Sequence, residues 1–344
     1  MRILLTGASG FIGSLLVPRL LAEGHDLRAL AREPARVRSA LAQDTEIEVI
    51  RGDVLTGEGL ARDSKIEVIR GDVLTGEGLA QALESVDVAY YLIHSMESRS
   101  TGAPPHASFP ERERVGELSF PERERLGAEN FAMQARRAGV QRIVYLGGLL
   151  PRSERASRHL VSRAEVEEIL FEHIPASVAL RASIVIGARS RSFRLLVRLV
   201  ERLPVLTLPG WHRFRTQPID ARDVIEMLAA AARLPEVSGR SLDIGGPEAL
   251  TYEEMLQRIA ELLLLSRPTV GLNVTMTPLA ARLAAALAGE DPALILPLME
   301  GLKGDLLPAE SHAAELLGVP LHSFDDAVEC ALREWEAVEP LAAR

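Results

Sequence analysis

The sequence predicts an α/β protein: a doubly wound parallel sheet with a smaller helix-rich C-terminal lobe. Three observations predict it. Short apolar runs alternate with helically spaced stretches as far as residue 190. A glycine-rich turn joins the first apolar run, residues 3–6, to the first helical stretch, Phe11 to Leu21. Beyond residue 190 the alternation fades and helical stretches dominate. At about 150 residues per domain, 344 residues make two domains. The expected division is a sheet-bearing part over 1–190 and a smaller C-terminal lobe over 191–344.

The elements follow in order. Asp26–Ala31 reads as the second strand, Ile66–Arg70 as the third, and Val86–Ile93, Arg142–Leu146 and Val178–Ile184 as those after it. Gly78–Glu84, Gly127–Ala138 and Arg163–His173 read as the intervening helices. In the C-terminal lobe, Asp223–Arg233, Tyr252–Leu265, Pro278–Ala288 and Phe324–Trp335 read as helices, with a strand at Ser241–Ile244.

Two segments are duplicated verbatim. Ile47–Ala61 and Ile66–Ala80 share fifteen letters, and Ser108–Arg114 recurs as Ser119–Arg125. Two copies at two unrelated periods do not make a repeat architecture. A sheet offers one interior slot for the third strand. The second copy runs directly into Gln81–Ile93 and is expected there, with the first extruded or paired at an edge. The mixed charges of Glu111–Arg114 and their copy predict a solvated helix face.

Composition narrows the function classes. Apolar residues make up 47% and charged residues 25%, as in globular proteins. A net charge of −9 argues against general nucleic-acid binding. The single cysteine, Cys330, excludes an internal disulfide and points to a reducing, cytoplasmic setting. No apolar run of about 20 residues exists, so no membrane span is expected. The eight histidines lack ligand-like spacing, so no metal site is expected.

The chemistry-bearing motif is Thr6-Gly7-Ala8-Ser9-Gly10-Phe11-Ile12-Gly13, a GxxGxxG between strand and helix. The first glycine permits the tight turn, the second lets backbone approach a diphosphate, and the third allows close helix–sheet packing. The helix N-terminus supplies free N–H groups for the anion. Arg32 follows the second strand, with Arg36 one turn on, where an acidic residue would grip the ribose hydroxyls of NAD. A guanidinium there suits a 2′-phosphate, so NADP(H) is preferred over NAD(H).

Together with the GDV after the third strand, Val88-Ala89-Tyr90-Tyr91-Leu92-Ile93-His94-Ser95 and Ile143-Val144-Tyr145-Leu146-Gly147-Gly148, these residues resemble the short-chain dehydrogenase/reductase superfamily. The resemblance is strongest to its atypical NAD(P)H-binding branch. That branch is related to nucleoside-diphosphate-sugar epimerases, NmrA-like proteins and the NAD(P)H-binding accessory subunit of respiratory complex I. The resemblance extends through Leu180–Gly187, Thr216–Ile219 and Asp243–Pro247. It implies that Gly7, Ser9, Gly10, Phe11, Ile12 and Gly13 hold the diphosphate. It also implies that Asp72 and Val73, or their copies Asp53 and Val54, meet the adenine, and that Leu92, Ile93 and His94 line the cofactor ribose.

The departure from the family is equally specific. Typical members use a Tyr-x-x-x-Lys pair, usually with an upstream serine. This chain has four tyrosines and two lysines, Lys65 and Lys303, and neither lysine follows a tyrosine by four. In the matching segment His159 takes the tyrosine position and Arg163 the lysine position, while Gly147-Gly148 stands where the serine would be. The expected catalytic residues are therefore His159 and Arg163, acting on a small organic substrate as an oxidoreductase or epimerase-like enzyme. The alternative is a non-catalytic NADP(H)-binding scaffold or redox sensor working through protein partners. The loop Trp211–Gln217 is expected to line the substrate pocket, and Tyr90-Tyr91 to pack in the sheet.

Overall fold

The computed structural model describes residues 1–41, 48–51, 65–93, 118–150, 158–208, 210–271, 304–310, 312–339 and 341. The main sheet is built from β1 (Arg2–Thr6), β2 (Asp26–Ala31), β3 (Glu48–Arg51), β4 (Lys65–Arg70), β5 (Val88–Tyr91), β6 (Arg142–Gly148), β7 (Val178–Ala182) and β12 (Ser241–Ile244), in the order β12-β7-β6-β5-β1-β2-β4-β3. β1 pairs in parallel with β2 and β5, β2 with β4, and β5 with β6. This is the expected Rossmann-type order, with the chain reversing direction across the sheet on either side of β1. Ile3, Leu4 and Leu5 are all fully buried, because helices cover both faces of a parallel sheet and no side of β1 meets water.

The duplicated strand resolves as expected. The second copy forms β4 and fills the slot beside β2, while the first copy forms β3 and pairs in parallel with β4 at the sheet edge. Ile50 lies opposite Glu67, two residues away from its own copy Ile69. A two-residue offset keeps the alternation of the pleat, so the edge copy adds to the sheet without inverting its faces.

Helices α1 (Phe11–Ala22), α2 (Pro34–Leu41), α3 (Leu79–Leu83), α4 (Phe120–Arg137) and α5 (Arg158–His173) connect these strands. Two begin earlier than the sequence reading placed them. α4 starts at Phe120 because Ser119 and Glu122 form a capping box, with the Ser119 N–H donating to Glu122 Oε2 at 2.7 Å. The signal, Ser-x-x-Glu, sits in the repeated heptad itself. The expectation of a wholly solvated face there is corrected, because Glu124 is only 3% exposed. The other copy, 108–114, lies outside the described residues, as does the expected helix Pro278–Ala288.

Two strands are shorter than expected. β5 ends at Tyr91 because the Leu92 N–H donates to Thr6 Oγ1, at 3.1 Å, instead of entering the ladder. β7 ends at Ala182. Val185–Ile186 (β8) pairs instead with Ile219–Asp220 (β11), and Ser183 between them donates to the Gln217 carbonyl at 2.9 Å.

The chain divides into two compact units: Met1–Gly147 with Ser162–Leu180 and Met227–Ser241, and Gly148–Val161 with Arg181–Glu226 and Leu242–Arg344. The first has a core of sheet residues such as Leu4, Ile69 and Tyr145 against Phe131 and Val166. Tyr90 and Tyr91 pack in this sheet as expected, with the Tyr90 hydroxyl donating to the Leu228 carbonyl at 3.0 Å.

The second unit has its own core around Phe193, Trp211, Tyr252 and Trp335. It gathers α6 (Arg191–Arg202), α8 (Tyr252–Leu262) and α10 (Phe324–Glu336) with β9 (Leu206–Leu208) and β14 (Thr269–Gly271). Arg194 and Arg198 hold their guanidinium groups 4.4 and 4.7 Å from the Trp335 ring centre, and both pair with Glu339. α6 is thereby fastened to the end of α10. Among the described residues no helix is long and apolar enough to cross a membrane.

Candidate functional site

The turn Gly7–Gly10 leaves β1 and caps α1. Thr6, fully buried at the strand end, donates to the Tyr90 carbonyl at 2.9 Å and accepts from Leu92, so one side chain ties the ends of β1 and β5 together. Gly7 then turns with φ of +75°, and a Cβ there would meet the Leu92 carbonyl oxygen at 2.8 Å. Only glycine meets both conditions. Gly10 is the N-cap of α1, in extended conformation and without a side-chain cap. No side chain competes for the first N–H groups of the helix, which is the arrangement that receives an anion. Gly13 is buried in the first turn of α1, and a Cβ there would run into the Gly7 carbonyl oxygen and the Ala8 Cα. Ser9, Gly10, Phe11 and Ile12 remain accessible along this turn.

Arg32 follows β2 directly and is exposed, and it makes no ion pair or hydrogen bond among the described residues. Arg36, by contrast, lies 3.7 Å from Glu33. Asp72 and Val73 follow β4. Asp72 holds its own turn, accepting from the Leu74 N–H at 2.9 Å. Val73 is 6% exposed and packs into the core, while its carbonyl accepts from Asn130 Nδ2 at 2.9 Å. Leu92 and Ile93 are half-buried at the end of β5. His94 and the copies Asp53 and Val54 lie outside the described residues.

His159 and Arg163 share α5 four residues apart, hence on one face. His159 is half-buried in the first turn. Arg163 is fastened to β6. Its Nη2 donates to the Leu146 carbonyl, its guanidinium carbon lies 5.5 Å from the Tyr145 ring centre, and its own carbonyl accepts from the Tyr145 hydroxyl at 3.2 Å. Burial pushes the Tyr145 phenol up to about 12, with the Arg163 cation partly opposing it. Burial likewise raises Tyr91 well above its ordinary value. Both rings are therefore neutral at ordinary pH. Arg163 Nε is buried and has no hydrogen-bond partner. An unmade hydrogen bond of this kind costs about 1–3 kcal/mol unless a ligand supplies the acceptor.

The glycine cradle and the open helix N-terminus fit the diphosphate of a dinucleotide. The expected pocket loop is corrected in part. Trp211 is 8% exposed and packs edge-on against Tyr252, with ring centres 5.6 Å apart, because its bulk completes the second core. His212 pairs with Glu253 at 2.8 Å. From this loop only Gln217 lines a cavity of about 150 Å³, together with Asp243, Gly245, Gly246, Pro308 and Leu321.

Comparison with known proteins bears on this geometry. Residues 7–63 match a family described as NAD(P)H-binding. A stretch of 131 residues, 38% of this chain, is 26% identical to the mitochondrial NADH dehydrogenase [ubiquinone] 1 alpha subcomplex subunit 9 of Arabidopsis thaliana, and spans 33% of that relative. The chain thus covers about a third of that protein's length. Likeness in fold runs further. The UDP-glucuronic acid 4-epimerase of Bacillus cereus, solved with UDP-glucuronic acid and NAD, superposes with a TM-score of 0.67 at 19% identity, over 98% of this chain and all of that one. The UDP-glucose 4-epimerase of Thermotoga maritima, solved with UDP-glucose, gives 0.64 at 14% identity, over 98% of this chain and 100% of that one. The glycine cradle thus lies in a segment similar to an NAD(P)H-binding family, and the chain as a whole shares the fold of these nucleotide-sugar epimerases.

Proposed function

We propose that the chain is an NADP(H)-dependent oxidoreductase or epimerase-like enzyme acting on a small organic substrate. The observation that carries this reading is the pairing of the glycine cradle with an exposed, unengaged Arg32 at the end of β2. In this reading Gly7, Ser9, Gly10, Phe11, Ile12 and Gly13 hold the diphosphate and Arg32 takes the 2′-phosphate. Asp72 and Val73 border the adenine, and Leu92, Ile93 and His94 border the ribose. Residues 1–190 serve the nucleotide and 191–344 the substrate. The bound nicotinamide supplies or accepts the hydride. Arg163 binds ribose hydroxyls and stays cationic throughout, since a guanidinium does not release its proton. His159, on the same face of α5, exchanges the substrate proton with solvent. The protein works in a reducing, cytoplasmic compartment, in keeping with its single cysteine.

A second reading rests on one observation: neither lysine follows a tyrosine by four, and Gly147-Gly148 offers no hydroxyl. On that reading the chain binds NADP(H) without turning it over and acts through a protein partner.

Cofactor choice is tested by titrating NADPH and NADH into the wild type and Arg32→Ala. Loss of one charge-assisted contact of about 1.5–3 kcal/mol corresponds to a roughly 10- to 100-fold weaker NADPH complex. NADH affinity stays unchanged. Equal affinities for both nucleotides in the wild type, untouched by Arg32→Ala, refute the 2′-phosphate assignment.

A further inference from the structure

We propose that Tyr145 is a positioning residue, which presets Arg163 to receive the nicotinamide-side ribose. This rests on the nucleotide reading above and adds a residue to it. Three contacts from two consecutive residues of β6 converge on one arginine of α5. The Tyr145 ring lies under the guanidinium, 5.5 Å from centre to carbon. The Tyr145 hydroxyl donates to the Arg163 backbone carbonyl at 3.2 Å, which fixes where the helix turn carries the side chain. The Leu146 carbonyl takes one guanidinium nitrogen, Nη2.

What remains is Nε, buried and without an acceptor. An arginine side chain is long and flexible, and ordering it on binding costs conformational entropy. Here the ordering is done by the fold before any ligand arrives, so less of that cost is left to binding. A lysine at this position would reach the ribose as a flexible point charge. The planar guanidinium requires a flat partner to set its orientation, and a neutral aromatic ring provides one. Tyr145 also packs against Tyr91, whose ring centre is 6.2 Å away, and Tyr91 in turn against Phe131 at 5.1 Å. The clamp therefore stands on the core of the first unit.

The experiment is a calorimetric titration of the full chain with two ligands, NADPH and adenosine 2′,5′-bisphosphate. The second keeps the 2′-phosphate end and lacks the nicotinamide ribose. Tyr145→Phe keeps the ring and removes the hydroxyl, and Tyr145→Leu removes both. A cation–π contact and one hydrogen bond lost together correspond to about a 10-fold weaker NADPH complex for Tyr145→Leu. Tyr145→Phe gives about 3-fold. Affinity for the bisphosphate stays at the wild-type value in both. On an Arg163→Ala background neither tyrosine substitution weakens NADPH further, since the residue acts only through the arginine.

Equal losses for both ligands, or a further loss on the Arg163→Ala background, overturn the positioning role. Because Tyr145→Leu opens the core, Tyr145→Phe carries the test where the leucine variant does not fold. The failure of the underlying reading is distinct: the wild type then binds neither ligand, or Arg163→Ala binds NADPH as tightly as the wild type does. In both cases Tyr145 has no positioning role to play.

Discussion

Gly13→Ala is expected to weaken NADPH binding about 100-fold and to lower the melting temperature, although it adds one methyl group. That methyl would sit inside the Gly7 carbonyl and against the Ala8 Cα, both backbone atoms. No flexible side chain is there to move aside. Relief requires α1 to lift from the turn or the turn to open, and either motion displaces the N–H groups that face the diphosphate. Overpacking of this kind costs about 1–3 kcal/mol. For a chain of this size, each kcal/mol is worth about 1–2 °C in melting temperature. The control is Gly24→Ala. Gly24 also has a positive φ, +76°, yet a Cβ there would meet nothing within 4 Å. It bears the left-handed backbone penalty of about 1–2 kcal/mol and should leave NADPH affinity unchanged. A Gly13→Ala protein that binds NADPH like the wild type removes the cradle from the cofactor site.

His159→Ala is expected to lower NADPH-dependent turnover by about 100- to 10,000-fold, the ordinary contribution of a positioned acid–base group. NADPH affinity should hold, because Arg163 keeps its anchorage on β6. The measurement is turnover over a panel of small carbonyl substrates, with the cofactor affinity of each protein determined in parallel. His159 is half-buried in the first turn of α5, so its truncation leaves the cores of both units intact. Full activity in His159→Ala would take the proton transfer away from this residue. A wild type that binds NADPH, turns over nothing on the panel and recovers a protein partner in pull-down would support the scaffold reading.

The parts of this protein that were legible in its sequence are those fixed by local chemistry. The three glycines of the first turn each answer to a backbone requirement a few residues away, so their spacing announces the cradle. The duplicated strand was legible for a related reason: the second copy runs straight into the next helix and strand, and that continuity decides which copy takes the interior slot. The two-residue strands of the second unit carry no periodicity to read. β8 with β11, and Arg215–Thr216 with Leu250–Thr251, exist only because distant segments meet. Trp211 looked like a pocket residue because its loop is rich in polar side chains, but a ring of that size found its place in a core. Glu124 looked solvated from its charged neighbours, yet its helix turns it inward. The Tyr145–Arg163 clamp was invisible for the same reason as the small sheets. It depends on which turn of α5 settles over which residue of β6, and no local pattern encodes that.

The most direct test of the central claim is a fluorescence titration of the purified wild-type chain with NADPH. The cradle at Gly7–Gly13 predicts a saturable rise in nucleotide emission with one site per chain, abolished by competing adenosine 2′,5′-bisphosphate. An emission that never saturates, or saturation indifferent to that competitor, would contradict it.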